Sequence, residues 1–276
     1  MKPNRRSSKI RSFALAAVAL VAALPTARAG FVTWGSPTGI TGDSDVSTAG
    51  TLVAAFNMGG SGNASTLLNG VTFNPFVTSG TSNTSGNFTL SSGASIIGND
   101  SAFGDIIQPF TNLSDAYQTL LQSGSYTFNA LPNSTMTLSM SNLLANHQYQ
   151  FQWWSNAVGL SSFDPNPPPG PVPLPTTTAT AGNSVSLLRK DSLTGLGQFA
   201  IGTFTATAPT QSIVFSGAGT YNLINGFQLR DLGAAAVPEP TAGLFGIALS
   251  VVAIGVRRAR RARAERQPRF SQIKKL

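Results

Sequence analysis

The sequence predicts an all-β body, an antiparallel β-sandwich, set between two apolar ends. Three observations carry that expectation. Short runs of β-branched and aromatic residues alternate with turns rich in Gly, Ser and Asn, and helical periodicity is scarce. Charged residues make up only 10% of the 276, a composition that suits polar, uncharged sheet faces better than Glu- and Lys-rich helices. Cysteine is absent, so disulfides, thiolate zinc and thiol catalysis are excluded, and a body of this length can bury a core without them.

Within residues 30–232 the pattern places strands at Thr51–Phe56, Gly70–Phe73, Asn87–Leu90, Ser125–Phe128 and Thr135–Met140. More follow at Gln148–Trp154, Ser184–Leu188, Gly197–Ala206, Gln211–Phe215 and Leu223–Asp231. Alternation along Gln148–Trp154 puts Tyr149, Phe151 and Trp153 on one face. Asp115–Gln122 is the one helical stretch, with Ser114 or Asp115 at its N-cap. Phe163–Thr180 holds a run of prolines that cannot donate to a ladder, so it reads as a long surface loop of polyproline character. Residues 233–236 form a short spacer after the body.

The net charge of +8 and the pI near 10.5 invite a nucleic-acid partner, but position removes that reading. Six of the 18 Lys and Arg lie in the first 28 residues and nine lie beyond Val256. Arg189, Lys190 and Arg230 alone remain between Gly30 and Pro240, against eight Asp and Glu239, so the body is acidic and would be repelled by phosphates.

The two ends read as targeting segments. Met1–Arg11 is basic, Phe13–Leu24 is apolar, and Ala27-Arg28-Ala29 is a small-x-small cleavage site, the three parts of a signal peptide. The mature chain would begin at Gly30. Near the other end, Val237-Pro238-Glu239-Pro240 precedes the uncharged run Thr241–Val256, which is then followed by Arg257, Arg258, Arg260, Arg261 and Arg263. The run is on the short side for a transmembrane helix, and the positive-inside bias would hold the arginines in the cytoplasm. Two prolines two apart keep the motif extended, the backbone form a processing enzyme needs. Residues 267–276 would be a cytosolic tail.

That three-part C-terminus resembles the PEP-CTERM sorting domain. The resemblance covers Val237 to about Arg263 and implies export through the Sec translocon, removal of the leader by signal peptidase, and handling by exosortase near the Pro-Glu-Pro motif. The body also resembles a recurrent domain of such proteins, a galactose-binding-like jelly roll. TLVAAFNMG at Thr51–Gly59, NGVTF at Asn69–Phe73 and YQTLLQSGSY at Tyr117–Tyr126 carry that likeness, with LSMSNLLANHQYQFQWW at Leu138–Trp154, GQFAIGTFTA at Gly197–Ala206 and INGFQLRDL at Ile224–Leu232. Together they imply an inner-membrane precursor that becomes a non-enzymatic cell-surface or extracellular matrix protein; the alternative is a lectin-like module whose partner is envelope or matrix polysaccharide.

Groups able to carry chemistry are few. His147 is the sole histidine, lies before a strand, and has no G-x-S-x-G nearby, so a triad and a multi-histidine metal site both lack support. Asp43 with Asp45 and Asp100 with Asp105 sit in Gly-rich turns. They could supply oxygens to a structural calcium, though EF-hand spacing is absent and turn aspartates commonly bond their own backbone. No cofactor motif occurs. Trp153 and Trp154 point oppositely on one strand; core packing and stacking on a sugar ring are the two roles open to them.

Overall fold

A computed structural model describes residues 30–128, 134–158, 175–190, 195–218 and 221–235. The expected signal peptide, the Val237–Pro240 motif, the run Thr241–Val256, its arginine cluster and the tail lie outside the described residues, as does 163–174 of the Pro-rich segment. Among the described residues no helix is long and apolar enough to cross a membrane.

Sixteen strands are described. The first eight are β1 (Thr33–Trp34), β2 (Thr38–Gly39), β3 (Thr51–Gly59), β4 (Thr66–Leu68), β5 (Val71–Val77), β6 (Ser79–Ser85), β7 (Phe88–Asn99) and β8 (Gly124–Phe128). After them come β9 (Met136–Met140), β10 (His147–Ser155), β11 (Thr176–Ala181), β12 (Asn183–Leu188), β13 (Gln198–Thr205), β14 (Gln211–Ala218), β15 (Tyr221–Ile224) and β16 (Gly226–Ala234). Among the described residues there is one α-helix, α1 (Asp115–Gln122), between β7 and β8.

The strands form two sheets of eight. Sheet I runs β1-β13-β10-β16-β3-β5-β4, with β2 also on β13; sheet II runs β12-β11-β14-β9-β7-β8-β15, with β6 on the free flank of β7. All the pairings of named strands are antiparallel except β3 with β5. Four pairs nest along the chain like one folded hairpin: β3 with β16, β9 with β14, β10 with β13, and β11 with β12.

Alternation explains why the sheets stack. On β10, Tyr149, Phe151 and Trp153 face sheet II, where they join Phe88, Leu90, Leu138, Ile213 and Phe215 in one apolar layer. Trp153 meets Phe215 edge-on at 5.1 Å between centroids, and Phe56 of sheet I meets Phe88 of sheet II at 5.3 Å. Sheet I has a second core on its other face, where Trp154, Phe73 and Phe199 pack beneath Tyr117, Leu120 and Leu121 of α1. The helix begins where Ser114 Oγ accepts the Tyr117 N–H at 3.2 Å, as its sequence predicts.

Local chemistry fixes the turns. Asn69 and Gly70 both take positive φ between Leu68 and Val71, the two-residue hairpin that Asn-Gly favours. At Asn225 the chain leaves sheet II and enters sheet I, so Leu223–Asp231, expected as one strand, is split into β15 and β16. Asn225 Nδ2 donates to the carbonyls of Leu121 and Ser123, tying the crossover to the end of α1. Two further expectations are corrected. Thr176–Ala181 is a strand inside sheet II rather than loop, paired on both sides; and Gly233 and Ala234 belong to β16, so the body extends into the expected spacer.

Trp153→Ala and Trp154→Ala should each cost about 3–5 kcal/mol, since each empties a fully buried ring site. Urea midpoints check this; a loss under about 1 kcal/mol for either would contradict the packing described.

Candidate functional site

Neither tryptophan is available for stacking. Both have no solvent-exposed surface, Trp153 within the interlayer core and Trp154 beneath α1, so of the two roles open to the pair it is core packing they take, and the sugar platform is corrected. The second layer that covers Trp154 is built by α1, whose packing no local pattern announces.

The aspartates serve as internal acceptors. Asp45 Oδ2 takes the Thr41 and Gly42 N–H groups at 2.8 and 3.1 Å, and its Oδ1 takes Thr41 Oγ1 at 2.7 Å. Tyr117 donates its hydroxyl to Asp45 at 3.1 Å while accepting the Trp154 indole N–H at 2.9 Å. Asp43 accepts Ser114 Oγ, Asp105 accepts its neighbour Ile106 N–H, and Asp100 accepts Gly60 and Gly62 N–H across from β3. Among the described residues no three His, Asp or Glu side chains gather as a metal site.

Uncharged amides complete this scaffold. Gln152 Oε1 accepts Ser47 N–H and Gln228 Nε2, and Gln152 Nε2 donates to the Asp45 carbonyl. Arg230 donates to the carbonyls of Thr48, Ala49 and Gly50. Loop 41–50 is thereby clamped over sheet I. His147 Nδ1 lies 2.8 Å from Asp231, whose Oδ1 also takes Gly233 N–H; among the described residues the imidazole bonds no other side chain. A shallow hollow of about 410 Å³ beside α1 is lined by Ser101, Asp105, Gln118 and Gln122, with a single carboxylate already engaged by Ile106.

Sheet II, in contrast, has an outer face that no described residue covers across β6, β7, β9, β14, β11 and β12, while Phe103 packs on its β8–β15 end. Its eight strands contain no Asp, Glu, Lys, Arg or His. Register lines its outward residues into rows: Thr84, Thr89, Ser139 and Ser212 across β6-β7-β9-β14, then Ser82, Ser91, Thr137, Val214, Thr180 and Ser184 across six strands. A third row joins Ser216, Thr178 and Ser186. All are exposed or half-buried. Strand spacing sets neighbours in a row about 4.8 Å apart and rows about 6.7 Å apart. Some hydroxyls pair along the rows, Thr84 with Thr89 at 3.0 Å and Thr178 with Ser186 at 2.7 Å. The sequence shows the Ser and Thr residues, but their assembly into one face depends on β6 and β11, which its patterns do not disclose.

No family model, no curated protein and no solved structure matches this chain.

Burial first, and then the charge of Asp45, hold the Tyr117 phenol well above its ordinary 10.0. The folded chain therefore keeps a proton that the unfolded chain loses, so this contribution is complete below about pH 10 and is lost as pH rises further. Tyr117→Phe should lower stability at pH 8 by about 1–3 kcal/mol, because Trp154 loses its acceptor, yet flatten the decline above pH 10. Denaturant midpoints at both pH values check it; an unchanged alkaline decline would contradict the assignment.

Proposed function

We propose that this chain is a non-enzymatic exported protein of the bacterial surface or extracellular matrix, sorted by exosortase through Val237-Pro238-Glu239-Pro240. The observation that carries the reading is the order of that motif, the apolar run Thr241–Val256 and the arginines from Arg257 to Arg263, at the opposite end from a three-part leader. The Sec translocon and signal peptidase would act on the leader at Ala27–Ala29, and the inner membrane would hold the precursor until exosortase acts. The arrangement of the body supports a jelly-roll assignment: the nested pairs β3–β16, β9–β14, β10–β13 and β11–β12 are those that two Greek keys produce. The scarcity of convergent titratable groups among the described residues favours a non-catalytic role.

The uncharged hydroxyl face favours a second reading, a module that contacts neutral envelope or matrix polysaccharide through sheet II. An ionic polymer, nucleic acid included, finds no counter-charge there, whereas a neutral polyhydroxylic chain can exchange hydrogen bonds without stripping water from an ion.

In the exosortase-containing host, Glu239→Ala together with Pro240→Ala should leave uncleaved precursor in the inner membrane; processing at the wild-type rate would refute sorting through the motif. For the second reading, the protein should be retained by insoluble neutral polysaccharide, and Thr178→Glu with Ser139→Glu should lower that retention about tenfold by burying unpaired charge. Retention that survives both substitutions would remove the contact from this face.

A further inference from the structure

One end of the sandwich interior holds an acceptor that has nothing to accept. Gln211 opens β14 and points inward with Ile213 and Phe215, only 2% exposed. Its Nε2 donates to the Ser212 carbonyl at 3.0 Å, while its Oε1 is sealed from solvent and receives no hydrogen bond. A carbonyl oxygen in that state destabilises a fold unless a donor reaches it.

Gly30 lies against this oxygen. A Cβ at position 30 would stand 2.4 Å from the Thr205 carbonyl oxygen and 3.9 Å from Gln211 Oε1, so no side chain fits and two oxygens converge on the residue. Among the described residues the Gly30 nitrogen makes no hydrogen bond. In the precursor that nitrogen is a peptide amide. Hydrolysis of the Ala29–Gly30 bond gives the hydroxyl of water to the Ala29 carbonyl and its proton to the Gly30 nitrogen. A further proton from solvent then makes the amine an ammonium near neutral pH.

We propose that the α-ammonium of Gly30, created when the leader is removed, is the donor that Gln211 Oε1 lacks, so that maturation closes this end of the sandwich. The inference rests on the export reading for its cleavage site. An ammonium offers several protons and charge-assisted hydrogen bonds, which suits it to a site walled by carbonyl oxygens.

The test uses mature protein purified from its exporting host, treated with an amine-reactive ester and followed at the N-terminal peptide by mass spectrometry. The Gly30 amine should react at least about tenfold more slowly in the native protein than in urea, as a hydrogen bond to a charged group requires. Gln211→Leu should restore the fast rate, Gln211→Glu should keep the protection, and exposed Lys190 should react alike in all. Equal native and denatured rates at Gly30, or full protection in Gln211→Leu, would overturn the docking and leave the export reading standing. A mature chain beginning elsewhere would overturn both. Should Gln211→Leu fail to fold, the native-to-denatured ratio and Gln211→Glu still decide.

Discussion

Two adjacent tryptophans on a central strand must both be buried, and the rest of the fold meets that constraint. Because neighbouring side chains on β10 point oppositely, Trp153 and Trp154 need apolar cover on both faces of sheet I. Sheet II supplies the first cover, through Phe215. The second comes from α1 and loop 41–50, fixed by the chain Trp154–Tyr117–Asp45 of hydrogen bonds. Sheet I is thereby sealed between layers. Sheet II is covered on the side that meets sheet I; on its other side Phe103 and Arg189 cover the β8–β15 end, and the six strands that carry the hydroxyl rows have no cover among the described residues.

A chain so poor in charge has to satisfy its buried polar groups with amides and hydroxyls. Gln152, Gln228 and Arg230 hold loop 41–50, and Asn225 holds the crossover between the sheets to the end of α1. The described residues bring a basic side chain onto a carboxylate at His147 Nδ1 and Asp231, 2.8 Å apart. The same economy of charge runs through sheet II, whose outer face presents hydroxyl groups and no ionised side chain. Such a surface suits a partner that is itself uncharged, and an exported destination would place it beside neutral polymers.

Much of the fold was legible where local chemistry decides it. The aromatic alternation on β10 and the Ser114 cap of α1 each follow from a few adjacent residues, whereas Gly70, expected to open a strand, belongs to the turn before it. What escaped was set by distant contacts. β6, Ser79–Ser85, has no apolar alternation and is a strand because β7 pairs with it; β11 follows a proline-rich stretch whose composition masks it. The break falls at the Asn225-Gly226 pair, a turn signal the sequence carries, but the change of sheet on either side of it is set by distant pairing. For the same reason the sequence left core packing and sugar stacking both open for the tryptophans, and it did not show the hydroxyl rows, which need the register of six strands.

The central claim is that both termini are processed around an intact body. Intact-mass measurement of the protein recovered from the surface of its own host tests this most directly. The account predicts a chain that starts at Gly30 and ends near Glu239, having lost the apolar run and the arginines behind it. A surface protein that still carried Thr241–Val256 and the basic tail through Leu276 would contradict it.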